Sequence, residues 1–96
     1  MKVQDLKPGM DQVDIRVEVV DLSQPKKVTM GNGVKRDILQ ITVKDETGSI
    51  ALVLWDDKVI RGLKTGDNLR IRNGFVTSYR GEWRINLGKY GELERT

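Results

Sequence analysis

Apolar and polar residues alternate at every second position along much of this 96-residue chain, and this pattern constrains the fold most strongly. It begins at residues 13–19, where Asp14, Arg16 and Glu18 separate valines and an isoleucine. A period of two is typical of a β-strand with one buried face. Val20 and Leu22 then shift the phase, which predicts a bulge or a strong coil at the end of the first strand.

The next segments predict a long loop followed by a hairpin. Residues 23–33 (SQPKKVTMGNG) combine proline, glycine and asparagine, so we expect a loop between the first and second strands. Alternation resumes after Val34 and again from Ile50, with a turn at residues 45–48 between the two runs. If Lys44 pairs with Ser49, the hairpin places Thr42 opposite Ala51, Gln40 opposite Val53 and Ile38 opposite Trp55.

The two faces of this hairpin differ in composition. One face is uniformly leucine, isoleucine and valine and predicts the core. The other carries one large ring, small neighbours and a charge, in the set Arg36, Ile38, Gln40, Ala51, Val53 and Trp55. A mixed face of this kind suits a shallow binding platform, although a tryptophan that merely covers a strand is the alternative.

The C-terminal half predicts a short helix and two further strands. Asp56 and Asp57 can cap a short helix over residues 58–61. At Asn73–Gly74 a hairpin turn competes with a glycine bulge in one long strand, and we favour the bulge. The bulge sends Phe75, Thr77 and Tyr79 outward, and a turn follows at residues 79–82. In the last strand the predicted inward residues are Trp83, Ile85 and Leu87, and the outward ones are Glu82, Arg84 and Asn86.

Together these segments predict an all-β fold in a single domain. The order is strand, long loop, hairpin, short helix and hairpin, which matches a closed or nearly closed five-stranded Greek-key barrel with the helix between the third and fourth strands. Residues 1–10 form an N-terminal arm, and 96 residues leave no room for a second domain.

Three aromatic residues are the candidate binding side chains. Phe75 and Tyr79 lie four residues apart, about 13 Å along a strand, which leaves room for bases to be splayed between them. Trp55 adds a third ring from the neighbouring hairpin. Exposed rings among cations suit single-stranded nucleic acid, because every base offers a π-face. Ile38, Gln40 and Val53 would form the platform beneath the bases.

Cations near the long loop and the rings are the candidates for phosphate contacts. The chain carries a net charge of +3 and a pI near 9.3, which permits a polyanionic partner. The candidate residues are Lys26, Lys27, Lys35, Arg36, Arg72, Arg80 and Arg84.

Composition argues against catalysis and metal chemistry. The chain has no cysteine and no histidine, so we expect no zinc site, no catalytic triad and no cofactor. Asp56–Asp57 or Asp45–Glu46 as a magnesium pair for phosphodiester cleavage is the enzymatic alternative, but a helix cap and a turn explain both pairs. No apolar run suggests a membrane or secretory segment, so we expect a cytoplasmic, nucleoid-associated protein.

An ordered set of short motifs resembles one known family. The motifs are Leu6–Met10, Asn32–Val34, Asp45–Gly48, Leu54–Asp57 and the run from Phe75 to Gly81. In this order they resemble the archaeal OB-fold single-stranded DNA-binding proteins. They are also similar to the eukaryotic sensor-of-single-stranded-DNA subunits and, more distantly, to replication protein A.

The resemblance implies an OB-fold barrel that binds single-stranded DNA with little sequence preference, in DNA replication, recombination and repair. It implies stacking at Trp55, Phe75 and Tyr79, where the family often has tryptophan at the second position. Replication or repair proteins are the implied protein partners. Family members commonly recruit partners through a disordered tail, and these 96 residues contain no such segment.

Two binding alternatives remain open from the sequence. Stacking does not exclude the 2′-hydroxyl, so an RNA-binding OB module fits the same residues. A protein-interaction subunit that docks a partner on Trp55 and Phe75 also fits.

Overall fold

The computed structural model describes residues 1–59, 62–88 and 90–96, and β-strands dominate them. The strands are β1 (Val13–Leu22), β2 (Lys26–Thr29), β3 (Lys35–Asp45), β4 (Gly48–Trp55), β5 (Asn68–Tyr79), β6 (Glu82–Leu87) and β7 (Glu92–Arg95). Two short 3₁₀ turns, Val3–Asp5 and Asp56–Lys58, precede β1 and follow β4.

Five of the strands close into a barrel. The order around it is β1, β3, β4, β6 and β5, and β5 pairs with β1 to complete the circle. Neighbouring strands are antiparallel except β4 and β6, which run parallel with Leu52 opposite Ile85. The closed five-stranded OB barrel predicted from the sequence is therefore confirmed.

Two details of register predicted from the sequence are also confirmed. In the β3–β4 hairpin Ile38 lies opposite Trp55, and Gln40 lies opposite Val53. In β1 the register against β3 shifts between Val19 and Asp21, where the apolar alternation changes phase. Such a shift bends a strand, which barrel closure requires.

The bulge at Asn73–Gly74 is confirmed as well. β5 continues through these residues without a turn, and its register against β1 shifts between Val13 and Ile15. Asn73 has φ 57°, in the left-handed region that asparagine tolerates better than most residues. A Cβ at Gly74 would lie 3.1 Å from Cγ2 of Ile85, so the close packing favours glycine. The bulge reverses which residues of β5 face outward.

The expected loop over residues 23–33 is partly a strand, and this corrects the prediction. β2 lies inside it and pairs antiparallel with the start of β3, with Lys26 opposite Ile38 and Thr29 opposite Lys35. Proline and glycine marked only the ends of the segment. β7 is a further strand beyond the predicted last one, and it pairs with β5. Both strands lie outside the barrel circuit.

The expected helix over residues 58–61 is also corrected, as far as the structure describes it. A 3₁₀ turn over Asp56–Lys58 takes its place, and residues 60–61 lie outside the described residues. Asp56 does not cap a helix: it has φ 50° inside the turn, and its carboxylate accepts hydrogen bonds from Arg36. The tertiary partner therefore outweighs the local capping preference.

The core fills the barrel as the alternation predicts. The predicted inward face of the β3–β4 hairpin is buried, as are Ile85 and Leu87 of β6. The N-terminal arm also contributes, because Leu6 is buried in the core and the N–H of Gly9 donates to the carbonyl of Val76 at 2.9 Å. Within the described residues no helix has the length and apolar character needed to cross a bilayer.

Candidate nucleic-acid interface

The outer face of the β3–β4 hairpin presents Trp55 as predicted, but its centre is more enclosed than predicted. Trp55, Ile38 and Gln40 are half-buried. Val53 is only 1% exposed, which corrects its assignment to an accessible platform. It lies between Gln40 on β3 and Asn86 on β6, so strands on both sides shield it. Val53 can support the surface but offers almost none of it.

The second half of β5 presents the other two rings. Phe75 is 40% exposed and Tyr79 is 53% exposed, whereas Val76 between them is buried. Thr77 shares their outward face and lies midway between them along the strand. The outward orientation predicted for both rings is thus observed, and the bulge causes it.

A hydrogen-bonded chain across β6 connects Trp55 to this row. The indole Nε1–H of Trp55 donates to Oδ1 of Asn86 at 3.3 Å, and Nδ2 of Asn86 donates to Oγ1 of Thr77 at 2.8 Å. Asn86 is 6% exposed, so both of its hydrogen bonds are shielded from water. These two hydrogen bonds fix the orientation of the indole. They also link Trp55 to Thr77, which lies between Phe75 and Tyr79.

Asn86 is the residue that sequence reasoning missed. The alternation placed it outward, and an outward polar residue is ordinarily solvated. One signal was present in the sequence: Asn86 lies between two core residues, Ile85 and Leu87, in a strand with buried neighbours. A polar residue that is buried needs hydrogen-bond partners, and here Trp55 and Thr77 supply them.

Arginines lie over two of the three rings. The guanidinium carbon of Arg36 is 5.3 Å from the centre of Trp55. Those of Arg80 and Arg84 are 5.3 and 5.0 Å from the centre of Tyr79. These distances are typical of cation–π contacts. The site therefore combines flat apolar surface with positive charge at the same points.

Arg36 is held in its position by Asp56. The Nε–H of Arg36 donates to Oδ2 of Asp56 at 2.7 Å, and the Nη2 group donates to the same oxygen. These hydrogen bonds lower the pKa of the Asp56 carboxyl below its ordinary value, so this carboxylate stays ionised at neutral pH. Asp56 thus fixes the cation above the indole.

The other predicted phosphate contacts fall into two groups. Lys26, Lys27, Lys35 and Arg80 are exposed, and no carboxylate of the described residues pairs with them. Arg84 lies 3.8 Å from a carboxylate oxygen of Glu82. Arg72 approaches Glu92 and Glu94 at 3.9 and 3.6 Å. Because Arg72 precedes the bulge and pairs with β7, the structure does not bring it to the rings.

Trp83 is exposed, although the alternation predicted it to be inward. It is 47% exposed and lies opposite Ser78, two pairs beyond the last buried pair, Val76 and Ile85. The β5–β6 hairpin extends past the end of the barrel there, so the inward face has no core to meet. Trp83 instead lines a groove with Val3, Ser49 and Ala51.

Asp45 and Asp56, one from each acidic pair considered for a metal, have structural partners. Asp45 accepts hydrogen bonds from the N–H groups of Val3 and Thr47 at 2.8 and 2.7 Å. Asp56 holds Arg36. Across residues 1–59, 62–88 and 90–96, no three acidic side chains converge in a way that could hold a metal ion.

A family model and several known proteins match the chain. The model is described as single-stranded DNA binding protein Ssb-like, OB fold, and it matches residues 6–95. Single-stranded DNA binding protein Ssb of Saccharolobus solfataricus is 37% identical over 87 residues, which cover 91% of this chain and 57% of that protein. Replication factor A of Methanothermobacter thermautotrophicus is 35% identical over 98 residues, 97% of this chain and 12% of that protein.

A solved structure agrees with these sequence matches. The second OB-fold domain of replication protein A from Methanococcus maripaludis superposes with a TM-score of 0.83 and is 25% identical, covering 99% of this chain and 92% of that one. The chain spans about half of the first relative and a small part of the second. It therefore corresponds to one OB domain of these longer proteins.

Proposed function

This chain belongs to the OB-fold family of Ssb-like single-stranded DNA binding proteins, and from that premise we propose that it binds single-stranded DNA with little sequence preference. In this proposal bases stack on Trp55, Phe75 and Tyr79 while nearby cations contact the phosphates. The relatives named Ssb and Replication factor A support a role in DNA replication, recombination and repair. Such a role would place the protein on cytoplasmic, nucleoid DNA, beside other replication or repair proteins.

The observation that carries this proposal is the arrangement of the three rings around Thr77. Trp55 is joined to Thr77 through Asn86, and Phe75 and Tyr79 flank Thr77 on β5. Rings fixed in this way lose little conformational freedom when a base stacks on them. A flexible single strand can place successive bases on such a surface without its sequence being read.

Magnitudes indicate that stacking and charge must act together. Stacking contributes about 1–3 kcal/mol per base, so three rings give roughly 3–9 kcal/mol before ordering costs. Micromolar binding needs about 8 kcal/mol, so stacking alone is marginal. Lys26, Lys27, Lys35 and Arg80 pair with no carboxylate of the described residues, so they are the best placed to supply the remaining phosphate contacts. Arg36 and Arg84 would contribute at the rings themselves.

Tryptophan fluorescence tests the proposal directly. In a Trp83→Phe variant Trp55 is the one remaining tryptophan, so any change in emission reports on the stacking site. We expect oligothymidine to quench this emission with an affinity that falls as salt rises, and duplex DNA to have little effect. An unchanged emission with oligothymidine at low salt would contradict the proposal.

A competition experiment distinguishes DNA binding from RNA binding. Single-stranded RNA of the equivalent sequence is added to the complex with oligothymidine, and the released fraction is measured. Equal or stronger binding of RNA would favour the RNA-binding alternative, because the rings alone do not distinguish the two sugars.

A further inference from the structure

A small groove lies beside Phe75, at the N-terminal end of the outward-facing row formed by Phe75, Thr77 and Tyr79. Phe75 and Tyr90 both line it, and it encloses about 160 Å³. At about 30 Å³ per water molecule this is the room of roughly five waters, which is comparable with one nucleobase. Tyr90 is 77% exposed.

The backbone that forms this groove is fixed in place. Nδ2 of Asn73 donates to the carbonyl oxygen of Tyr90 at 3.1 Å, and the N–H of Gly91 donates to the carbonyl of Gly88 at 3.0 Å. Gly91 is buried against Leu87, where a Cβ would lie 2.4 Å from a methyl carbon. The carbonyl of Tyr90 is thus tied to β5, and Gly91 packs against the core.

Two polar side chains at the groove lack partners. Asp11 and Gln12 line it just before β1, and neither side chain has a hydrogen bond or ion pair with the described residues. Gln12 has φ 52° and Asn73 has φ 57°, two left-handed non-glycine residues at one groove. Such conformations are sparsely populated by residues other than glycine, and they cluster at functional sites.

A carboxylate beside bound DNA can contact the bases but not the phosphates. Asp11 repels phosphate, so it cannot serve the backbone of the strand. It can accept a hydrogen bond from an exocyclic amino group, as aspartate does from cytosine N4. The amide of Gln12 can donate to the neighbouring ring nitrogen. Cytosine and adenine offer this pair of groups, whereas thymine does not, and cytosine is the smaller of the two bases that fit.

We propose that this groove is a fourth base site, which holds one nucleobase between Phe75 and Tyr90 and prefers cytosine through Asp11 and Gln12. The inference rests on the proposed binding of single-stranded DNA and adds to it a base preference at one position. Sequence tolerance at the three main rings is unaffected, because stacking there involves no base edges.

A base scan tests the preference. One cytidine is moved through an oligothymidine of about twelve nucleotides, within the range of about 4–16 that OB folds cover. We expect tighter binding by about five- to tenfold at one position, the lower part of the range for a good base-edge contact. In Asp11→Ala the ratio between the two bases should fall to one. Because a general charge effect acts on both oligonucleotides equally, it cancels in this ratio.

Ring and groove variants test the site itself. Tyr90→Ala should weaken binding about fivefold or more, and Tyr90→Phe should retain it. At Gly88 a Cβ meets Cε1 of Phe75 at an ordinary 3.5 Å, so Gly88→Val narrows the groove while leaving the core untouched. We expect it to abolish the cytosine preference, with an unchanged melting temperature as the folding control.

The outcomes separate this inference from the proposed function. A flat base scan, together with unchanged affinity in Tyr90→Ala, would overturn the fourth site while Trp55→Ala still reduces binding. Failure of the natural protein to bind oligothymidine would overturn the proposed function and this inference together.

Discussion

Arginines lie along both halves of β5, but their surroundings differ. Before the bulge, Arg70 and Arg72 lie between β1 and β7 and approach acidic side chains of both strands. After the bulge, Tyr79 ends the strand, and Arg80 of the following turn and Arg84 of β6 lie over its ring. Along the first half, arginines form ion pairs with neighbouring strands. Beside the second half, arginines place positive charge on an exposed ring. A single strand thus separates a structural surface from a candidate binding surface at Asn73–Gly74.

Removal of a ring from the second half should have the largest effect on binding. Phe75→Ala deletes one stacking surface, and we expect single-strand affinity to fall by about 1–3 kcal/mol. The same loss is expected for Trp55→Ala. Phe75 is 40% exposed, so the fold should survive, which circular dichroism and a melting curve can check. Unaltered affinity in both variants would mean that the exposed rings do not bind DNA. The two halves of β5 would then no longer differ in function.

Loss of the support beneath the rings should have a smaller effect. Asn86→Leu removes the partner of the Trp55 indole, and we expect binding to weaken by about 0.5–1.5 kcal/mol, the usual contribution of one hydrogen bond. The emission of Trp55 in the Trp83→Phe background should change even without DNA.

Thr77→Val is the matched control for Asn86, because it breaks only the second hydrogen bond and leaves the indole bonded. An equal effect of both substitutions would mean that Asn86 acts through general packing instead of through Trp55.

Charge removal at the predicted phosphate contacts should change mainly the salt dependence of binding. If Lys27 and Arg80 each contact one phosphate, Lys27→Ala and Arg80→Ala should each reduce the slope of log K against log salt by about 0.7. Titrations at several salt concentrations measure this slope. A slope equal to that of the natural protein would mean that the side chain stays in solvent when DNA binds.

Charge removal in the first half should have the smallest effect. Arg72 is partly neutralised by Glu92 and Glu94, so we expect Arg72→Ala to leave affinity and salt slope nearly unchanged. Its free energy of unfolding should change by about 0–1 kcal/mol, as is usual for exposed ion pairs. A lowered salt slope would show that the binding surface crosses the bulge.

Local sequence patterns predicted the parts of the fold that depend on neighbours in the chain. The register of the β3–β4 hairpin follows from one turn and the alternation on each side of it. The bulge at Asn73–Gly74 follows from residues that tolerate left-handed backbone, and it correctly sent Phe75 and Tyr79 outward. Such features involve few residues that are distant in sequence.

Features that depend on distant strands could not be predicted in the same way. The parallel pairing of β4 with β6 encloses Val53 and Asn86, and alternation alone does not reveal which strand lies alongside. Trp83 has the pattern of a core residue but lies where the hairpin passes the end of the barrel. The function of the three rings stays a prediction until binding is measured.

The position of β2 has a consequence for neighbouring copies. β2 pairs with β3 alone among the described strands, so its other side presents unsatisfied backbone groups, and Lys26 and Lys27 stand along it. Lysines on an open strand edge discourage self-association through mutual repulsion. A polyanion that binds these lysines would cancel that repulsion. Protein molecules bound next to each other on one polyanion would then meet at β2 edges that repel each other in free solution.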